Sequence, residues 1–248
     1  MRAISNALPH ESLIYFADQA HVPYSPRTIE EVREFAKIIT KYLLGQGAKL
    51  IVVACNTASA AALHELRAKY PDIPFVGMEP AVKPAAEHTS SGVVGVIATP
   101  TTFQGALYAS VVERFAQGVR VMQDTVPGLV EQIEAGELRA AKTRQILKQA
   151  LDPMIDAGID TVVLGCTHFP FVIELIEEIT PAGVRVIDPA PAIARQTQRL
   201  LNQYGVRADE DVPLVHQFIT SGEPARFAAQ LRTLLGIDAE VARFVWPA

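Results

Sequence analysis

Short apolar runs rich in β-branched residues alternate along this chain with segments of helical period. The runs fall at 13–17, 50–54, 74–77, 93–98, 119–122, 161–165, 184–187 and 214–219. Helix-favouring stretches lie between them, at about 28–46, 57–69, 81–88, 102–116, 128–134, 139–157, 169–179, 190–204 and 223–235. Continuous apolar runs are what strands covered on both faces look like. Their regular separation by helices predicts an α/β fold of parallel sheets.

The pattern repeats. Phe75-Val-Gly-Met-Glu79-Pro80-Ala81 is echoed by Val186-Ile-Asp188-Pro189-Ala190, and Leu13-Ile-Tyr-Phe-Ala-Asp18 with Val22-Pro23 by Val119-Arg-Val-Met-Gln-Asp124 with Val126-Pro127. This order of landmarks predicts two pseudo-symmetric, doubly wound lobes with an active-site cleft between them. Thr89-Ser-Ser-Gly92 is the predicted crossing. The expected division is 93–205 for one lobe and 1–92 plus 206–248 for the other, because the last strand has no counterpart in the second half's repeat. The first half also lacks the strand and loop with which the second half opens, Val93–Ala98 and Thr99-Pro-Thr-Thr102; Met1-Arg-Ala-Ile reads as the tail of a helix. The expectation is a shortened start and, as a consequence, weakened stability and activity.

The only two cysteines stand at matching points of this repeat. Gly47-Ala-Lys-Leu-Ile-Val-Val-Ala-Cys55-Asn56-Thr57 and Gly158-Ile-Asp-Thr-Val-Val-Leu-Gly-Cys166-Thr167-His168 each run from glycine through a strand to cysteine and a helix start. A helix N-terminus favours thiolate. Two thiols on opposite sides of one carbon atom could act as an acid–base pair in racemisation. Each feature alone has a plainer explanation. Cysteine packs readily at a strand end, and Asn56-Thr57 and Thr167-His168 are good helix caps. The same helix starts can hold carboxylates, and His168 is placed to assist proton transfer. Glu134, after an apolar stretch, could point inward, and Tyr24 in Pro23-Tyr24-Ser25-Pro26 could line a pocket. Cys166 and His168 lack a third nearby ligand, so no metal is expected.

Composition narrows the classes. With 248 residues, 49% hydrophobic and 20% charged, the chain can bury a substantial core. A net charge of −5 gives no basic footprint for nucleic acid. No run approaches the roughly 18–20 apolar residues of a membrane span, and no signal segment opens the chain. The expected location is therefore the cytoplasm, where thiols stay reduced. No phosphate loop or dinucleotide fingerprint appears, so no cofactor is expected.

Tyr15-Phe-Ala-Asp18, Val22-Pro-Tyr24, Ala54-Cys-Asn-Thr57, Ile97-Ala-Thr99 with Thr102, Ile133-Glu-Ala-Gly136, Leu164-Gly-Cys-Thr-His168 and Thr220-Ser-Gly222 together resemble the glutamate racemases of the aspartate/glutamate racemase superfamily. The resemblance spans nearly the whole chain. It implies cofactor-independent interconversion of L- and D-glutamate, supplying D-glutamate for peptidoglycan, by a homodimeric enzyme. It implies Cys55 and Cys166 as the proton-transfer thiols and Glu134 and His168 as auxiliaries on the Cys166 side. Tyr24, Ser25, Asn56, Thr57, Thr99, Thr102, Thr167 and His168 are implied substrate positions. This chain departs from the family pattern in lacking the opening Asp-Ser-Gly loop, in Ser25 where glycine is usual, and in Gly105 where serine is usual. Two other readings stay open: a racemase of another amino acid such as aspartate, and a catalytically silent or weak binding protein.

Overall fold

The computed structural model describes residues 1–24 and 27–247. In chain order the elements are α1 (Arg2–Ala7), β1 (Ile14–Ala17), α2 (Ile29–Gly45), β2 (Ile51–Val52), α3 (Asn56–Lys69), β3 (Phe75–Val76), α4 (Val82–His88) and β4 (Val93–Ala98). There follow α5 (Pro100–Gln104), α6 (Ala106–Phe115), β5 (Arg120–Asp124), α7 (Leu129–Glu134), α8 (Ala141–Asp156) and β6 (Thr161–Gly165). A 3-10 turn (Phe169–Val172) leads into α9 (Ile173–Ile179), β7 (Arg185–Ile187), α10 (Ala190–Gln203), β8 (Gln217–Thr220), α11 (Pro224–Gln230), a π turn (Leu231–Leu235) and β9 (Val241–Arg243). Every strand pairing is parallel.

The chain divides into two compact units. One comprises Met1–Val53, Ala61–Gly77 and Ala190–Ala248; the other comprises Ala54–Ala60 and Met78–Pro189. These boundaries differ from the expected halves in three places. Helix α10 falls in the first unit because Ala194 and Leu201 pack with Ile4 of α1 and with Leu8 just after it. The Cys55 segment and α4 fall in the second.

The first unit holds a three-stranded sheet of order β1-β8-β9 and a two-stranded sheet β2-β3. Its helix α2 starts where Thr28 Oγ1 accepts from the Glu31 backbone N–H at 3.1 Å and Glu31 Oε2 accepts from that of Thr28 at 2.8 Å. This reciprocal cap satisfies two otherwise orphaned donors. Ile51, Ala62, Leu63, Leu66 and Phe75 form one core, and Phe218, Phe227 and Leu231 another.

The second unit is built on the four-stranded sheet β5-β4-β6-β7. Alternate residues of its central strands feed opposite faces. Val94, Val96 and Val163 pack against Tyr108 and Val111 of α6 and Val82 and Ala85 of α4. Ile97, Val162 and Leu164 pack against Ile133 of α7, Leu147 and Leu151 of α8 and Ile176 of α9. The period-two geometry of a strand makes this two-sided core from apolar runs without polar alternation. The strand order reverses between β4 and β6, and in open α/β sheets ligands bind at the carboxyl ends flanking such a switch point.

Three details depart from the sequence pattern. The single helix expected over 102–116 is two helices, because Gly105 between them is extended (φ −71°, ψ 135°). The helix expected over 169–179 opens as a 3-10 turn containing Pro170. Strand β9 is not marked in the sequence at all.

Candidate active site

The carboxyl ends of β4 and β6, and the start of α3, bring most of the expected site residues together in the second unit. The segment Ala54–Ala60 carries Cys55, Asn56 and Thr57; β4 runs into Thr99 and α5 contains Thr102; β6 runs into Cys166, Thr167 and His168; α7 ends on Glu134.

Cys55 lies at the head of α3, where its carbonyl accepts from the Ser59 backbone N–H at 2.9 Å. The residue as a whole is partly exposed, and its thiol accepts from the Ala58 backbone N–H at 3.5 Å. Desolvation by the atoms packed around Sγ outweighs these helix-start donors, and the charge of Cys166 adds to it, so the Cys55 pKa is pushed up to about 11. Cys55 is therefore a thiol at neutral pH.

Cys166 is buried, with the Phe169, Ile133 and Leu164 core behind it. Its Sγ faces His168 Nδ1 at 3.8 Å, and His168 Nε2 meets Glu134 Oε1 at 2.7 Å. Burial works against a charged imidazole here. The hydrogen bonds to Cys166 and Glu134 more than offset it and raise the His168 pKa to about 10. A doubly donating imidazolium can hold a thiolate on one side and a carboxylate on the other. Glu134 reaches His168 because α7 turns Leu129 and Ile133 into the core.

Two side-chain threads join the Cys55 segment to the sheet. Asn56 Nδ2 donates to the Gly165 carbonyl at 2.9 Å. Thr57 Oγ1 lies 3.4 Å from Thr99 Oγ1, which is 3.0 Å from Thr102 Oγ1. Among the described residues no group of three or more His, Cys, Asp or Glu side chains is arranged to hold a metal ion.

Tyr24 belongs to the first unit. Its hydroxyl donates to Asp18 Oδ2 at 2.7 Å, and the buried Asp18 carboxylate also takes Ser221 Oγ at 2.7 Å and His21 Nδ1 at 2.9 Å. Ser25 lies outside the described residues. Asp18 and Ser221 were not singled out as site residues from the sequence. The available signal was an acid at a strand end three residues before His21 and six before Tyr24.

Comparison with known proteins extends this picture to the whole chain. A glutamate racemase of Ectopseudomonas mendocina is 49% identical over 244 residues, 98% of this chain and 92% of that protein. One from Roseiflexus is 46% identical over 235 residues, 94% of this chain and 86% of that one. The crystal structure of a glutamate racemase isoform of Bacillus anthracis superimposes with a TM-score of 0.85 at 31% identity, covering 99% of this chain and 91% of that one. Escherichia coli glutamate racemase, solved with L-glutamate and the activator UDP-MurNAc-ala, gives a TM-score of 0.85 at 31% identity over 99% of this chain and 93% of that one. The family model for Asp/Glu/Hydantoin racemases matches residues 1–197, which include both cysteine segments, Glu134 and His168. On this agreement of motif, fold and sequence, the chain belongs to the Asp/Glu/Hydantoin racemase family.

Proposed function

We propose that this chain interconverts L- and D-glutamate without a cofactor, with Cys55 and Cys166 exchanging the α-proton from opposite faces of the substrate. The observation that carries the reading is the unequal preparation of the two thiols in one unit. Cys55 is held protonated, whereas Cys166 faces an imidazolium anchored by Glu134. A one-step inversion requires one acid and one base, one on each face of the substrate.

In one direction, a Cys166 thiolate takes the α-proton while the Cys55 thiol delivers its own to the other face. The products are the inverted amino acid, a Cys166 thiol and a Cys55 thiolate. The reverse reaction starts from that second state. Charge developing on the α-carboxylate is stabilised by donors from the helix start at Asn56 and Thr57 and by the hydroxyls of Thr99, Thr102 and Thr167. Tyr24 and Ser25 are proposed as substrate residues on the family resemblance alone. Glutamate is favoured by the names of the relatives and by the L-glutamate bound to the Escherichia coli neighbour. We extend the proposal to a homodimer that supplies D-glutamate for peptidoglycan in the cytoplasm, on the family resemblance; among the described residues no helix is long and apolar enough to cross a membrane.

The test is racemisation in D2O. Loss of L-glutamate ellipticity should accompany deuterium incorporation at Cα, and Cys55→Ser and Cys166→Ser should each abolish net inversion. Full two-way activity in either single variant would sink the two-thiol reading. Faster turnover of aspartate than of glutamate would sink the substrate assignment.

A further inference from the structure

We propose that Asn56 is a positioning residue that sets the spacing between the two thiols, an inference that rests on the two-thiol reading above. Asn56 follows Cys55 directly, and Gly165 precedes Cys166 directly. The 2.9 Å bond from Asn56 Nδ2 to the Gly165 carbonyl therefore ties the two cysteine-bearing backbones at residues adjacent to both sulfurs. The bond is buried and joins positions 109 residues apart in sequence.

The acceptor end is rigid. Gly165 pairs with Ala98 in the β4–β6 ladder. A Cβ at Gly165 would stand 2.6 Å from Ala98 Cβ and 3.1 Å from the Ile97 carbonyl oxygen, so the glycine lets the two strand ends close on each other. The donor end is equally committed. Asn56 is only 4% exposed, and its Oδ1 has no hydrogen-bond partner among the described residues. Burying an unpaired acceptor is costly, so the amide is not there for the sake of its oxygen's bonding within the fold. At a helix start, aspartate, serine or threonine would cap as well, but aspartate cannot donate to a carbonyl. The second thread, Thr57 to Thr99 at 3.4 Å, is too long to fix the spacing alone.

The tether predicts that asparagine is required for its N–H. The decisive probe is a series of bis-methanethiosulfonates of graded spacer length, applied to the whole chain and read by intact mass as the Cys55–Cys166 bridged product. The native chain should favour one spacer sharply. Asn56→Asp and Asn56→Ser, each checked for folding by circular dichroism, should flatten that preference by about tenfold. In the glutamate assay kcat should fall more than about tenfold while KM changes less than about threefold. An unchanged spacer preference in a folded variant overturns the tether. So does a loss confined to KM, which would make Asn56 a substrate contact alone. A measurement on the unaltered chain covers the case in which both variants misfold. The Asn56 carboxamide should keep a slowly exchanging proton by NMR, and rapid exchange of both protons would refute the bond. If the native chain bridges as expected but does not racemise glutamate, the functional proposal fails and the tether stands.

Discussion

His168 stands between Cys166 and Glu134, and its hydrogen bonds to Cys166 and to Glu134, the latter Nε2 to Oε1 at 2.7 Å, together keep the imidazole charged well above neutral pH. Glu134→Gln should remove the Glu134 share of that effect and leave the share of Cys166. We expect kcat to fall about tenfold, and about a hundredfold for His168→Asn, at the low end of general acid–base contributions. Because enantiomers are equal in energy, kcat/KM must fall equally in both directions. Asymmetry can appear only in kcat and KM taken separately, measured by circular dichroism from each enantiomer. A one-sided change in kcat/KM would point to a faulty assay rather than a mechanism.

The same contact makes a pH prediction. The folded His168 pKa, about 10, lies above its ordinary 6.5. Its contribution to stability is therefore complete below 6.5 and disappears as pH rises through 10. The native chain should lose more melting temperature than Glu134→Gln between pH 6.5 and 10, and parallel curves would contradict this.

Cys55 should alkylate slowly at neutral pH. With its pKa near 11 rather than the ordinary 9.0, iodoacetamide modification mapped by mass spectrometry should keep rising beyond pH 10. In Cys166→Ser the rise should begin at lower pH, because the neighbouring charge that opposes ionisation is gone. An ordinary thiol profile in the native chain would show that the desolvation argument is wrong.

Asp160 fastens the link before β4. Its carboxylate accepts from the Ser90 and Ser91 backbone N–H groups at 2.6 and 2.8 Å and from the Thr89 and Thr161 hydroxyls at 2.9 Å. Desolvation pushes its pKa up, but these donors prevail and hold it well below the ordinary 3.8. Asp160→Ala should cost about 1–2 kcal/mol near neutral pH, since several of the donors are exposed and water can replace the carboxylate. The carboxylate's contribution is present above pH 3.8 and is lost as pH falls below it. Urea melts at pH 7 and pH 3 should therefore differ more for the native chain than for the variant.

Gly165→Ala should destabilise the second unit by roughly 1–3 kcal/mol through overpacking against Ala98. Ala98→Gly should recover part of that loss in the double variant. Strict additivity of the two melts would mean that the methyl groups never meet.

Much of the fold was legible because two-sided burial leaves a plain mark. The runs 93–98 and 161–165 are β4 and β6 to the residue, since both faces of each strand need apolar side chains. Where burial is shallow the mark fades: β9 has only Val241 partly buried between exposed neighbours, and 214–219 proved to be strand only from Gln217. The contacts of His168 with Cys166 and Glu134 could be anticipated because the resemblance paired His168 and Glu134 with Cys166. The Asn56 bond and the Ser221–Asp18 bond could not, because each joins residues far apart in sequence whose approach depends on how the elements pack rather than on local spacing.

The detour of residues 54–60 into the second unit has a consequence for the newborn chain. Cys55 leaves the ribosome with its helix, but Gly165 and Cys166 follow only some 110 residues later. At ordinary translation rates that is about 5–20 s. During that interval the first thiol has neither the carbonyl that secures its loop nor the packing that holds it protonated. A nascent chain of this kind is most open to oxidants and alkylating agents before its second cysteine exists.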